Sequence, residues 1–286
     1  MKLSSQSVSW LQVAPLGLVM FGMVMLPIML MIVVSFLDYG YAQVFPALLW
    51  DSWAEIFESR ITVDLYLKTF KFVLITWSLT LLLGFTVSYF IVFHIRTARW
   101  RTIFMMACAI PFWTSTLIRM ISWIPFLGRE GLINSLLMKL HVVSAPLDYL
   151  LYSEFSILLV YVHTMALMMI APIANSMAKI EPSVIVAARD AGASEWRVIT
   201  DIIIPLTKSG VALGSIFVIT QVIGDYLVVK QMGGNQVQTV VGAISLELNA
   251  FQYPPAAAKS VLMLAIVLAL VWTILRVVDI RKELAR

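Results

Sequence analysis

Six stretches of the chain, residues 13–36, 69–93, 103–121, 156–177, 211–229 and 260–278, are each dominated by apolar side chains over about 20 residues, the length a helix needs to cross the hydrocarbon core of a bilayer. They sit in a sequence of 286 residues of which 61% belong to the hydrophobic set and only 13% are charged. Ordinary soluble domains are roughly 45–50% apolar and about a quarter charged, so this chain lacks the polar side chains to cover a water-facing surface. The same composition excludes disorder, collagen, a coiled coil and a disulfide scaffold. Cys108 is the single cysteine, so no intrachain disulfide can form. A net charge of +4, scattered along the chain, offers no footprint for nucleic acid. The expected fold class is all-α: a polytopic membrane protein with six transmembrane helices.

Basic residues orient such a protein, because short cytoplasmic loops are enriched in Lys and Arg. With the N-terminus inside, the inner pieces hold Arg96, Arg99 and Arg101 in one short loop, and about twelve of the twenty basic residues in all, counting Lys2, Arg281, Lys282 and Arg286 at the termini. Asp38, Asp51, Glu55, Glu58 and Asp64 then fall outside. Both termini are therefore expected in the cytoplasm. The first stretch is too long for a signal-peptide core of about 7–15 residues and reads as an uncleaved anchor, with Pro27 tolerated in the membrane. Residues 1–68 form this anchor and a first external segment, 69–278 a transmembrane core, and 279–286 a tail. The external segments 37–68 and 122–155 carry Trp50, Trp53, Trp123, Tyr149 and Tyr152, as expected at a membrane surface, and 132–140 reads as a short amphipathic helix.

The internal segment 178–210 does not read as a linker. Pro182 suits a helix start, 183–191 is helical in pattern, and Gly192 is a natural helix stop. Ser194 can cap a second helix, with Glu195 in its first turn, running to a break before Pro205. Ala187 and Ala188 are small enough for another surface to approach, and Arg189, Asp190, Arg197 and Asp201 frame that contact with charge. Mixed acids and bases fit docking to a protein better than a basic face lying on anionic lipid.

Ala187-Ala188, Gly192, Ile202 and Ile204-Pro205 stand at the spacing of the Glu-Ala-Ala…Gly…Ile-x-Leu-Pro signature, and the chain here resembles the membrane subunits of binding-protein-dependent ABC importers. Val186 replaces the usual Glu, and Ile204 the usual Leu. From Leu65 onward the chain is similar to the spermidine/putrescine type, through Ile118-Arg119…Trp123, Gly131-Leu-Ile-Asn134-Ser-Leu, Gly224-Asp225-Tyr226, Gly233-Gly234 and Tyr253-Pro-Pro-Ala-Ala-Ala258. The resemblance implies a type I ABC importer permease fold and a permease passing a small organic cation such as a polyamine. It implies four kinds of partner: two cytosolic ABC ATPase subunits, a second and non-identical permease, an external solute-binding protein, and membrane lipid. It also implies that Ala187, Ala188, Arg189, Asp190, Gly192, Ala193 and Pro205 couple to the ATPase. No G-x-x-x-x-G-K-[ST] loop is present, so the chain is read as a non-enzymatic transport subunit binding no cofactor, with ATP and Mg on the partner.

Ionisable groups inside a membrane are costly and point to function. Asp225, beside Gln221 and Tyr226, with Gly224 allowing close backbone approach, either lines a cation path or pairs with Lys230 or Arg119. Arg119, with Trp123, either snorkels outward or lines an external gate. His163 and His94 lack partners at metal-ligand spacing and read as hydrogen-bonded packing groups, and Asn175 as a bond across helices. Glu154 and Asp148 face outward, as solvated surface or toward a binding protein. The same machine would serve another solute: ferric iron, an opine, aminoethylphosphonate or an anion. A secondary transporter would need inverted repeats or matched buried charges, and neither is visible.

Overall fold

The computed structural model describes residues 14–40 and 43–278, so the expected tail 279–286 and Lys2 lie outside the described residues. The described residues are helical nearly throughout. Among the described residues five helices are long and apolar enough to span a membrane, Ala14–Val34, Arg60–His94, Asp148–Met177, Glu195–Gly224 and Tyr253–Val278. A sixth span is made if the bent pair Ala98–Trp113 and Thr116–Lys139 counts as one.

Three details differ from expectation. The stretch 103–121 is not a straight span: Pro111 sits in a 3-10 turn, Ile110–Trp113, and the chain then bends by 96°. Proline cannot donate the backbone bond that would carry the α-helix onward, so a break follows it. At Pro205 the reverse holds. No break precedes it, because a π-helical turn, Val198–Ile203, passes directly into the helix Ile204–Gly224. The wider turn leaves room for a ring that would clash in an α-helix. That fifth span accordingly begins at Glu195 and stops at Gly224, short of the expected residue 229, and a short helix Leu227–Gly233 follows. Finally, residues 37–68 contain an antiparallel hairpin, Leu37–Gly40 with Gln43–Leu48, the one sheet among the described residues.

The chain divides into two compact units, one built from Met1–Asp64 and Ala243–Ile266, the other from Leu65–Gly242 and Val267–Arg286. In the first, Phe36, Trp50 and Trp53 form an aromatic cluster with ring centroids 5.2–6.2 Å apart, and Trp53 Nε1 donates to Ser35 Oγ at 3.2 Å. The same unit buries Lys259 against Glu247, with a Glu55 oxygen 3.9 Å away.

The second unit is organised around the helix Glu154–Met177, whose Ile157, Val160, Met169, Ile173 and Met177 are fully buried. The fifth span packs along it through glycine. A Cβ on Gly210 would lie 2.4 Å from the Pro172 carbonyl oxygen, and one on Gly214 would lie 2.7 Å from Met169 Sδ. Small residues let helix backbones approach where no hydrophobic drive exists between them. The Arg60–His94 helix joins by polar bonds from its Leu65–His94 portion: Trp77 Nε1 donates to Ser215 Oγ at 2.8 Å and Ser88 Oγ to the Ile170 carbonyl at 3.0 Å. At the other end of the unit, Lys71 and Lys68 hold Glu154 at 2.6 and 3.6 Å, which ties that carboxylate to a helix rather than leaving it solvated. Asp148 pairs with Arg129 at 3.5 Å.

Candidate functional site

Helix Pro182–Asp190 ends on Gly192, whose φ of +86° is the left-handed conformation open to glycine. The Gly192 N–H donates to the Arg189 carbonyl at 2.9 Å and the Ala193 N–H to the Ala188 carbonyl at 3.0 Å. This pair of bonds is a Schellman motif, and it satisfies carbonyls that the helix end would otherwise leave bare. Ser194 then caps the next helix by accepting from the Arg197 N–H at 3.4 Å. Arg189 reaches across the bend to Glu195, with Nε 2.8 Å from one carboxylate oxygen and Nη2 3.0 Å from the other. That bond holds the guanidinium above its ordinary pKa. The segment 178–210 is thus an ordered elbow.

Ile180, Ile185, Val198 and Ile203 are buried and seat the elbow on its unit, while Val184, Val186 and Trp196 face outward at 41%, 53% and 72% exposure. Ala187 is exposed and Ala188 half-buried. Trp196, the most exposed of those three apolar side chains, was not visible as a site in the sequence, because it reads equally well as an interfacial anchor. Asp190 and Arg197 are exposed. Pro205 lies where the elbow's second arm becomes the fifth span.

A cavity of about 560 Å³ opens beside the elbow end of the fourth and fifth spans. Its polar lining is Asn175, Ser176, Lys179 and Ser209, and Phe112 and Phe217 stand among its apolar walls. Ser176 and Ser209 hydroxyls lie 3.3 Å apart. Asn175 is exposed and makes no hydrogen bond to another helix among the described residues, contrary to the expected bond across spans. Ser209 and Lys179 carry no sequence signal of their own, since serine and a lone lysine near a span end are commonplace. Only the crossing at Gly210 brings them to one wall.

The remaining candidates lie toward the other end and form two separate groups. Asp225 accepts from the Val228 N–H at 2.7 Å, capping Leu227–Gly233, and interacts with the hydroxyl of the buried Tyr161. It forms no ion pair with Lys230 or Arg119; Lys230 instead stands 5.3 Å from the centre of the Tyr226 ring. Nothing lies within 4 Å of a Cβ built on Gly224, so no backbone approaches there. Gln221 is exposed. In the second group Trp123 Nε1 donates to His163 Nδ1 at 3.1 Å, the packing role expected for His163. Arg119 donates from Nη2 to Thr116 Oγ1 at 3.2 Å, and its buried Nε has no acceptor.

Spans of this kind, with an ordered elbow interrupting them and a groove at their end, define a multi-pass inner-membrane protein of the importer permease class. Residues 99–281 match the family described as the inner membrane component of binding-protein-dependent transport systems, and the chain belongs to it. It is 28% identical over 225 residues to the spermidine/putrescine transport system permease protein PotB of Escherichia coli (strain K12), covering 77% of this chain and 81% of that one. To PotB of Salmonella typhimurium (strain LT2) it is 28% identical over 263 residues, 90% of each chain. The inner membrane ABC transporter permease protein YdcU of E. coli is 24% identical over 73% of this chain and 70% of its own. Among solved structures, a bacterial ABC transporter involved in the import of the acidic polysaccharide alginate superposes with a TM-score of 0.74 at 15% identity, covering 95% of both chains, a likeness of fold alone. The chain is an ABC importer permease subunit.

Proposed function

We propose that this permease passes a small organic cation of the polyamine class, putrescine or spermidine, from an external solute-binding protein to the cytoplasm. Its termini lie inside, and two cytosolic ATPases and a second, non-identical permease complete the machine. The observation that carries the cargo is the relationship to the polyamine permeases of two enteric bacteria over up to 90% of the chain. Asp225 agrees with it: a carboxylate that accepts from the Val228 N–H at the end of the fifth span stands beside Tyr226, a ring that can face a cation.

The coupling reading rests on the elbow. Its outward apolar side chains Val184 and Trp196 offer the surface for the ATPase cleft, and its buried isoleucines transmit displacement to the spans as a rigid body. Val186, where related permeases usually carry Glu, contributes apolar contact instead of charge. For the ATPase to move the elbow it must bind it with different affinity in its open and closed states.

The test of cargo is uptake of radiolabelled putrescine and spermidine in cells lacking this chain, with competing solutes. Loss of uptake, restored by the chain, is expected; undiminished polyamine uptake would overturn the proposal. A second reading, an anionic solute, draws on Lys179, the one charged side chain lining the cavity among the described residues. It predicts that the cognate external receptor binds anions and ignores polyamines. The class of machine is tested by co-purification, in which an ATPase and a second permease are expected with the solubilised chain.

A further inference from the structure

A second cavity, of about 290 Å³, lies between helix Pro182–Asp190 and the end of the Arg60–His94 span. It is distinct in lining from the groove described above, and Val186 and Arg189 of the elbow form part of its wall. Apolar groups such as Phe93, Val186 and Ile203 make up much of its wall, and every charged group in the lining is an arginine: Arg96, Arg101 and Arg189. No carboxylate lines it.

The three arginines are not equally free. Arg189 is neutralised by Glu195. Arg101 donates from Nη2 to the Val92 and Ile95 carbonyls at 2.9 and 3.4 Å, where the span ends, and its buried Nε–H has no acceptor in the protein. Arg96 is exposed and has no hydrogen bond or ion pair among the described residues. Two cationic side chains with unused donors thus face an amphipathic hollow.

We propose that this hollow binds the phosphate of an anionic phospholipid of the inner leaflet, with Arg96 as its ligand and the Arg101 guanidinium adding positive charge to the wall. The position selects the lipid. Rows of basic residues between spans on the cytoplasmic side meet lipid headgroups, and the apolar wall accommodates the glycerol backbone and first methylenes while the acyl chains leave by the open side. A guanidinium presents a fork of donors matched to phosphate oxygens. The bound headgroup bridges the span end, through Arg101, to the elbow, through Val186, so it braces the element through which the motor acts. The inference rests on the inward orientation given above.

The test uses the intact transporter complex in nanodiscs of phosphatidylcholine containing a minority of phosphatidylglycerol, with retained lipid counted by native mass spectrometry after mild delipidation. Arg96→Gln should lower retained phosphatidylglycerol by about fivefold, the value of about 1 kcal/mol per cation at an anionic surface. Arg96→Lys should keep it, and so should Arg99→Gln, a neighbouring arginine outside the cavity lining. Equal retention in Arg96→Gln and Arg99→Gln overturns the proposal. So does saturation of the site by inorganic phosphate in lipid-free detergent, which assigns it to a free anion. Unchanged lipid with weakened ATPase co-purification in Arg96→Gln also overturns it, and makes the occupant a carboxylate of the ATPase. The same samples report whether the complex assembles at all. An absent ATPase removes the importer reading, whereas an assembled complex with indifferent lipid removes this inference alone.

Discussion

Substituting Gly192 separates the conformation of the elbow from its bulk. The residue sits at φ +86° with no atom within 4 Å of a built Cβ, so side-chain size meets no obstacle inside the subunit. Conformation is what a side chain would disturb. A left-handed backbone costs a non-glycine residue about 1–2 kcal/mol, less for asparagine. At about 1.4 kcal/mol per tenfold, that is a roughly 5- to 30-fold loss in the population of the intact bend. The helix it terminates is short, nine residues, and mostly exposed, so little else holds the Schellman pair in place. Proline does more. It fixes φ near −65° and deletes the N–H that donates to the Arg189 carbonyl, a cost of about 3 kcal/mol or more in helical settings. Reconstituted complexes of Gly192→Asn, Gly192→Ala, Gly192→Val and Gly192→Pro should therefore lose solute moved per ATP hydrolysed in that order, with all four inserted in the membrane. If Asn fails as badly as Val, bulk at a docking face matters and not the backbone. If Gly192→Pro transports at the wild-type rate, the elbow does not couple.

Three further outcomes follow from other contacts. Asp225→Asn keeps an N-cap acceptor for Val228 while removing the charge, so uptake should fall with complex assembly intact; Asp225→Ala should in addition cost about 1 kcal/mol of stability, read as a lower Tm in detergent. Gly210→Val drives a side chain into the Pro172 carbonyl and Ser176, and overpacking of about 1–3 kcal/mol should appear as a lowered Tm and reduced folded yield, while Gly224→Ala, in open space, should be silent by the same measurement. Lys259→Met leaves Glu247 buried without its partner and should destabilise by about 3–5 kcal/mol, with much of the loss recovered in the Lys259→Met/Glu247→Met double variant by thermal unfolding.

Much of this architecture is legible in the chain because the bilayer imposes a length and an apolar composition on every span. The elbow is equally legible, since Pro182, Gly192 and Ser194 each act on their own backbone neighbours. The errors have a common cause. The third span was read from apolar length alone and the break before Pro205 from the general effect of proline, yet Pro111 ends its helix in a 3-10 turn and Pro205 is absorbed by a π turn. Which outcome a proline takes depends on the strain that neighbouring helices impose, and this is not a property of adjacent residues. Asp225 shows the same limit. Its position marked it as costly, but its partners, Tyr161 from the fourth span and the Val228 N–H, were assigned only by packing.

By itself, then, the order of residues determined that the chain lives in a membrane, how many times it can cross and where it turns, because these follow from hydropathy and from backbone preferences acting over a few residues. Tertiary structure alone decided which side chains share a wall. It set Lys179 beside Ser209 in one groove, and Arg96 beside Arg101 and Val186 in another hollow. Glycine at 210 and 214 permits helices to close until such distant residues meet, and a contact made by close approach between helices leaves no periodic trace along either one.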